Sequence, residues 1–402
     1  MTQHSALSPV LLMLKSIWMN AWDLQDVDHA ELIGFLKDCN LNACNLGLSY
    51  HGGRMLLPRH RRHKIYEQHA GALYFPIDAR RYQNLRLQPH VAPEAELVRP
   101  FVEACAKADF ELNAWTVLCH NDYLGMSAPE CCIENVFGDR YTYALCPSNA
   151  DVRRYVVQLC ADVSSFDSIG HLDLEALSFM GYEHASPHDK RGVPLTKLMT
   201  WLLSICFCET CRARFGSRAA DELRHRARRA VNDYLEDLPD AGSGGADLRI
   251  ELETVLGAEE LSALLDMRSE VLTTLLDEVR NETKGKRLNL RLATSPLFHG
   301  GKTALPLSKL EGRIDSATVT FLGAGLESMS SELKRLPAKH ERRVLLYGGF
   351  MFHHPDCSSE ADVRERVRLL DAAQLDGHIF YGFGMAAGKH FVWLKNALTK
   401  GI

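Results

Sequence analysis

The chain has 402 residues, of which 46% are hydrophobic and 24% charged, and it carries a net charge of −5 at neutral pH. This mild acidity argues against general nucleic-acid binding, which needs a basic face to neutralise phosphates, and no apolar run reaches the roughly 18 residues of a membrane span. Length alone would allow two or three domains, but barrels can run past about 250 residues as one unit, so the order of elements has to decide.

The N-terminal run Val10 to Leu14 is too short for a secretory core, and Lys15 and Trp18 follow it without a small-residue cleavage site. It reads as the start of a first strand, Leu11 to Met19, followed by Leu32, Ile33 and Leu36 at helical spacing. A second strand, Ala43 to Ser49, leads into an irregular excursion over residues 51–95 that carries Pro58, Pro76, Pro89 and Pro93, with a hairpin expected within Lys64 to Phe75. Leu97, Val98, Phe101, Val102 and Cys105 then mark a helix, Glu111 to Cys119 a third strand, and Val152, Val156, Leu159, Cys160 and Val163 another helix. The fourth strand is Gly170 to Ala176. After it, residues 194–285 hold several helices broken by the loop Asp240 to Asp247. Strands Asn289 to Thr294, Ala317 to Leu322, Val344 to Gly348 and Gly377 to Phe383 complete the set, with helical windows at Val363, Val367 and Leu370 and at Phe391, Leu394 and Leu398.

Eight strands alternating with helices predict an α/β chain folded as a single (β/α)8 TIM barrel over residues 1–402, with a long loop after strand 2 and a helical insertion between strands 4 and 5. A doubly wound open sheet is the competitor; the strand count and the lack of a Gly-rich turn after the first strand favour the barrel. Both oversized connections leave from the end of the barrel where active sites lie, so each is a candidate wall or lid, or, for the helical one, a contact between copies in a homo-oligomer.

The segment Ile169-Gly-His-Leu-Asp-Leu-Glu-Ala-Leu177 alternates strictly, so His171, Asp173 and Glu175 share one face and Leu172, Leu174 and Ala176 the other. Leucines suit the layer under the helices. Three ionisable groups are thereby sent into the barrel, where an uncompensated charge costs several kcal/mol. Glu175, nearest the strand's C-terminal end, should reach the mouth as a general acid, with Asp173 one layer deeper raising its neighbour's pKa or holding a proton for it. The bland alternative is a buried network in which the carboxylates only balance a cation such as Arg291; His171 reads as a core histidine.

Polar and aromatic groups gather at the other strand ends: Tyr50 and His51, His120 and Asn121, His299, and Tyr381. Such a set suits a sugar, whose C–H faces stack on rings and whose hydroxyls need paired partners. These six are the expected substrate-binding residues, and a carbohydrate or glycoside the expected partner, with neither nucleic acid nor membrane. The run Arg59-His-Arg-Arg-His-Lys64 could instead recognise an anion, although charged runs are usually solvated loops.

Twelve cysteines in a chain of this length do not resemble the disulfide framework of a small secreted domain, so reduced thiols and a cytoplasmic location are expected. Cys206, Cys208 and Cys211 are dense enough to close on a tetrahedral zinc ion with one further ligand, for which His184, His188 and Cys357 are the candidates. Four protein ligands leave no position for water, so such a zinc is structural and catalysis requires no cofactor. The alternative is that Leu202 to Phe207 form an apolar helix with inert buried thiols.

The segments His171 to Leu177, Cys206 to Cys211, and Asp376-Gly-His-Ile-Phe-Tyr-Gly-Phe-Gly-Met385 with Trp393 resemble the glycoside-hydrolase-like (β/α)8 barrels. The resemblance implies a glutamate acid/base at the end of the fourth strand, the position of Glu175. Many retaining members add a nucleophilic glutamate on the seventh strand. Here Leu345-Leu-Tyr-Gly-Gly-Phe350 offers no acid, and the nearest are Asp356 and Glu327. Chitinase-like barrels instead use substrate assistance with an Asp-x-Glu pair on the fourth strand; Asp173-Leu-Glu175 has that spacing, with His171 where those enzymes carry another aspartate. A short zinc-binding cysteine cluster occurs in bacterial trimeric β-galactosidases. The leading expectation is a glycoside hydrolase. Its alternatives are a metal-dependent sugar isomerase or epimerase and a carbohydrate-binding barrel without catalysis.

Overall fold

The computed structural model describes residues 13–182, 190–238, 247–283 and 285–399. Eight parallel strands form the barrel: β1 (Leu14–Asn20), β2 (Ala43–Tyr50), β3 (Glu111–Val117), β4 (Ile169–Glu175), β5 (Arg287–Leu292), β6 (Ser316–Thr320), β7 (Leu345–Met351) and β8 (Gly377–Tyr381). Each pairs with the next, and β1 pairs with both β2 and β8, which closes the sheet. Each observed strand overlaps one of the eight apolar runs.

Helices fill the crossovers where apolar residues recur at three-and-four spacing. The main ones are α1 (His29–Asp38), α2 (Val98–Lys107), α3 (Asp122–Ser127) and α4 (Ala150–Val163). Caps fix their starts: Asp28 accepts the Glu31 N–H, and Asn149 accepts those of Asp151 and Val152. Packing against the strands is tight. A Cβ on Gly348 of β7 would lie 2.4 Å from Leu370, so only glycine lets that helix approach.

Between β4 and β5 lie α5 (Lys197–Leu203), α6 (Glu209–Phe215), α7 (Ser217–Glu236), α8 (Leu248–Leu256) and α9 (Ala258–Glu282). Met199, Trp201, Leu223, Val231, Leu252, Leu256 and Leu261 form a second apolar cluster there, apart from the barrel core. The C-terminal half of α9 behaves differently: Val271, Leu275 and Val279 pack into the barrel core, so this half is the crossover helix between β4 and β5. After β5 come α10 (Leu326–Leu333), α11 (Glu360–Ala372) and α12 (Gly388–Thr399).

The excursion after β2 departs from the expected hairpin. Ile65–Glu67 pairs with Arg54–Leu56, which precedes it, and Ala72–Leu73 instead adds an antiparallel edge to β2. Burial explains the choice, because Ala72 to Phe75 are fully buried and find their backbone partners on the barrel, while Leu56 and Ile65 remain exposed. No described helix is long and apolar enough to cross a membrane.

Candidate active site

The barrel interior is polar along its length. Ser16, Asn45, Asn113, Asn289, Ser316 and Thr318 point inward and bond to one another across the strands. Asp173 lies in the middle of this network, 0% exposed. Its Oδ2 accepts the Trp18 indole N–H and the Asn45 amide, both at 2.7 Å, and its Oδ1 accepts the Asn289 amide at 2.8 Å. Neutral donors thus surround the carboxylate, and no hydrogen bond joins it to Glu175.

Glu175 ends β4 one layer higher, with its side chain 15% exposed. Its Oε2 accepts the Trp115 indole N–H at 2.6 Å and lies 2.9 Å from Arg291 Nη1. Oε1 accepts no bond from the described residues and faces Gly301, where a Cβ would lie 3.3 Å away. The next residue, Ala176, has φ of 55°, a left-handed conformation that costs an ordinary residue about 1–2 kcal/mol. Its N–H is held by the Gly301 carbonyl at 2.8 Å.

Arg291, the partner anticipated on β5, is 4% exposed and lies between two indole faces, 4.3 Å from the Trp18 ring centre and 4.9 Å from that of Trp115. Lys302 adds a second cation nearby, donating to the Thr320 carbonyl at 2.7 Å; burial and the Arg291 charge lower its pKa, while Glu332 and Glu175 act to raise it. Tyr381 meets Trp18 and Trp115 at 6.0 and 6.1 Å, and its hydroxyl is 3.3 Å from that of Tyr50. A cis peptide bond joins it to Gly382. Tyr50 continues as a stack through His51, at 4.3 Å, to His120, at 4.1 Å from His51.

Four of the six expected substrate-binding residues, Tyr50, His51, His120 and Tyr381, therefore line one side of the mouth. The other two have different surroundings. Asn121 caps α3, accepting the Leu124 N–H and donating to the Gly71 carbonyl. His299 is buried against Arg268, whose Nη1 lies 2.7 Å from its Nε2; burial first, and that guanidinium second, push its pKa well down. His171 is a buried histidine 3.6 Å from Glu111. Asp356 is occupied by the N–H groups of Gly323 and Met351, and Glu327 lies exposed in the first turn of α10. The seventh strand has no room for an acid beside Trp18, because a Cβ on Gly349 would lie 2.8 Å from that ring.

The cysteine cluster has a fourth member that sequence spacing missed. Cys146, at the end of the hairpin strand Arg140–Leu145, has its Sγ 3.5 Å from that of Cys211 and 3.7 Å from those of Cys206 and Cys208. All four are buried, and their sulfurs lie within 4.8 Å of one another. Zn–S bonds of about 2.3 Å in a tetrahedron put sulfurs roughly 3.8 Å apart, so the donor set fits the ion. Cys206 and Cys208 lie beyond the end of α5, not inside an apolar helix. Cys357 is near Arg366 instead, and His184 and His188 fall outside the described residues. Only contact in space could have found Cys146, some 60 residues upstream. Among the described residues these cysteines are the single group suited to a metal, and the mouth carries none.

No protein-family model matches the chain, nor does any curated protein sequence. Solved structures do match. Alpha-L-fucosidase isoenzyme 2 from Paenibacillus thiaminolyticus aligns with a TM-score of 0.58 at 10% identity over 97% of this chain and 49% of its own. The PgaB (BpsB) glycoside hydrolase domain from Bordetella bronchiseptica aligns at 0.57 and 12% identity, covering 96% of this chain and 99% of that one. The beta-galactosidase from the psychrophilic Marinomonas ef1 aligns at 0.56 and 9%, over 96% and 59%. The chain thus spans about half the length of the fucosidase and nearly all of the PgaB domain, and it has the (β/α)8 barrel fold of these glycoside hydrolases.

Proposed function

We propose that the chain is a glycoside hydrolase acting at the barrel mouth, with Glu175 as the acid/base carboxylate. The observation that carries this reading is the aim of Glu175 at the C-terminal end of β4: one oxygen is fixed by Trp115 and Arg291, the other accepts no bond from the described residues on a side chain 15% exposed, and the left-handed Ala176 behind it stores strain that a purely structural glutamate has no need of. Trp18 and Trp115 are buried around Arg291, and the partly buried rings of Tyr381 and His51 beside them are the ones that supply faces for a pyranose ring. The three fold neighbours named above, an alpha-L-fucosidase, a glycoside hydrolase domain and a beta-galactosidase, support the same substrate class. Asp173 serves this reading as a positioning residue, holding β1, β2 and β5 around β4. Purified protein screened against aryl glycosides tests it: turnover is expected, falling at least about 100-fold in Glu175→Gln. Turnover unaltered in that variant would overturn the assignment.

The second reading, a carbohydrate-binding barrel without catalysis, is favoured by one observation: Asp356 is occupied by backbone amides, and β7 provides no acid at the mouth. Ligand-induced thermal stabilisation without turnover distinguishes it. We further propose that Cys146, Cys206, Cys208 and Cys211 hold a structural zinc ion, which would pin the Arg140–Leu145 hairpin to α6 and leave no coordination position for water.

A further inference from the structure

A cavity of about 200 Å³ opens at the C-terminal end of the barrel between β1, β8, α1 and the excursion after β2. Asp23, Gln25, Glu31, Phe35, Arg59 and Phe383 are among its lining residues. It is distinct from the Glu175 centre, yet only Gly382 separates Tyr381 of the mouth from Phe383 of the cavity wall. The Tyr381 hydroxyl is raised in pKa chiefly by burial, and it senses the charges of both Glu175 and Asp23.

The polar groups of this cavity are unusual for a surface crevice. Asp23 is 4% exposed; its Oδ2 accepts the Asn20 N–H, while Oδ1 has no bond from the described residues. Gly384 permits this arrangement, since a Cβ there would lie 2.3 Å from Oδ1. Gln25 donates its amide N–H to Glu94, which leaves its buried Oε1 without a donor. Arg59 is held with its guanidinium 4.3 Å from each of the Phe383 and Phe391 ring centres, donating to the carbonyls of Phe383 and Ala386. Asp23 Oδ1 and Gln25 Oε1 are thus acceptors without a donor from the described residues, in a cavity also lined by Glu31, Arg61 and the exposed Phe35 ring. A ligand that presents several hydroxyl donors and an apolar C–H face satisfies such a set, and the volume suits one ring.

We infer that this cavity is a second sugar subsite, in which Asp23, Gln25 and Glu31 accept hydroxyls of a pyranose unit remote from the bond cleaved at Glu175, so that the substrate is an oligosaccharide and not a simple glycoside. The inference rests on the reading of Glu175 as the reacting carboxylate.

The test uses 4-nitrophenyl glycosides of one, two and three units of galactose, glucose and N-acetylglucosamine, with calorimetric titration of the corresponding free sugars. In the full chain, kcat/KM or affinity is expected to rise about tenfold with length. That gain, taken as the ratio of trisaccharide to monosaccharide, is expected to collapse in Asp23→Asn and in Glu31→Gln, the latter on an exposed helix position where folding is not at stake. A rate independent of length, or a length gain undiminished in both variants, overturns the subsite and leaves the Glu175 reading intact. Neither turnover nor binding of any of these sugars overturns both.

Discussion

The indole N–H of Trp18 reaches across the barrel to Asp173 and meets its carboxylate at 2.7 Å, although the two residues are 155 positions apart. With Asn45 and Asn289 completing its shell, Asp173 is a buried carboxyl group held by neutral donors from β1, β2 and β5. Removing the acceptor strands all three donors, each costing about 1–3 kcal/mol when left unsatisfied. Asp173→Ala is therefore expected to lower unfolding free energy by at least about 3 kcal/mol, with Asp173→Asn intermediate because one amide must face another. Urea denaturation checks this; an unchanged midpoint in Asp173→Ala would rule out the hub.

Glu175 and Arg291 form a pair that is desolvated on the arginine side. Losing Glu175 leaves a buried guanidinium between two indoles, and losing Arg291 leaves the carboxylate with only Trp115. Each single variant, Glu175→Gln and Arg291→Met, is expected to destabilise, whereas the double variant should cost less than the sum, with a coupling of about 1–3 kcal/mol. Additive effects would show that the pair contributes nothing beyond its separate contacts.

Burial pushes the Asp23 carboxyl up to about 7, against the opposing pull of the Asn20 N–H and Arg59. The folded state then holds a proton that the unfolded chain releases near pH 4, so stability falls as pH rises from about 4 to about 7 and levels off above. Asparagine cannot ionise. Asp23→Asn should therefore lose less stability than the unmodified protein between pH 5 and pH 8, as read from thermal midpoints at matched ionic strength. Parallel pH profiles for the two proteins would refute a protonated Asp23.

For the cysteine cluster, protein purified without chelator is expected to carry one zinc per chain by elemental analysis, with Cys146→Ser lowering both zinc content and melting temperature. Cys357→Ser, at a buried thiol outside the cluster, should leave the zinc content unchanged. Zinc-free protein with the same melting temperature after zinc addition would sink the site.

Eight runs suffice to read the barrel because each strand is covered by helices on its outer face and so keeps apolar residues at every second position, even where the inward face is polar. The inward face of β4 was legible for a related reason: His171, Asp173 and Glu175 are too polar to be accidental at period two. What Asp173 does there was not legible. Its partners Trp18, Asn45 and Asn289 lie on other strands, and only the closed barrel brings them within bonding distance. Ser16 to Asn20 and Asn113 to Trp115 show the same alternation of polar and aromatic residues, which marks a polar interior when read together with β4. Cys146 escaped because no periodicity links a hairpin end to α6. The lack of an acid in Leu345 to Phe350 was legible, but its steric reason at Gly349, the space that Trp18 fills, was not.

The arrangement around Asp173 also constrains how the chain can be divided. A fragment ending before β5 would contain the Asp173 carboxyl group with two of its three donors, the third arriving only once Asn289 has been made. Truncation or circular permutation that separates β1 from β5 is thus expected to yield no half-barrel of independent stability, and the molecule should acquire its final rigidity in a single late step of closure, not by joining two preformed halves.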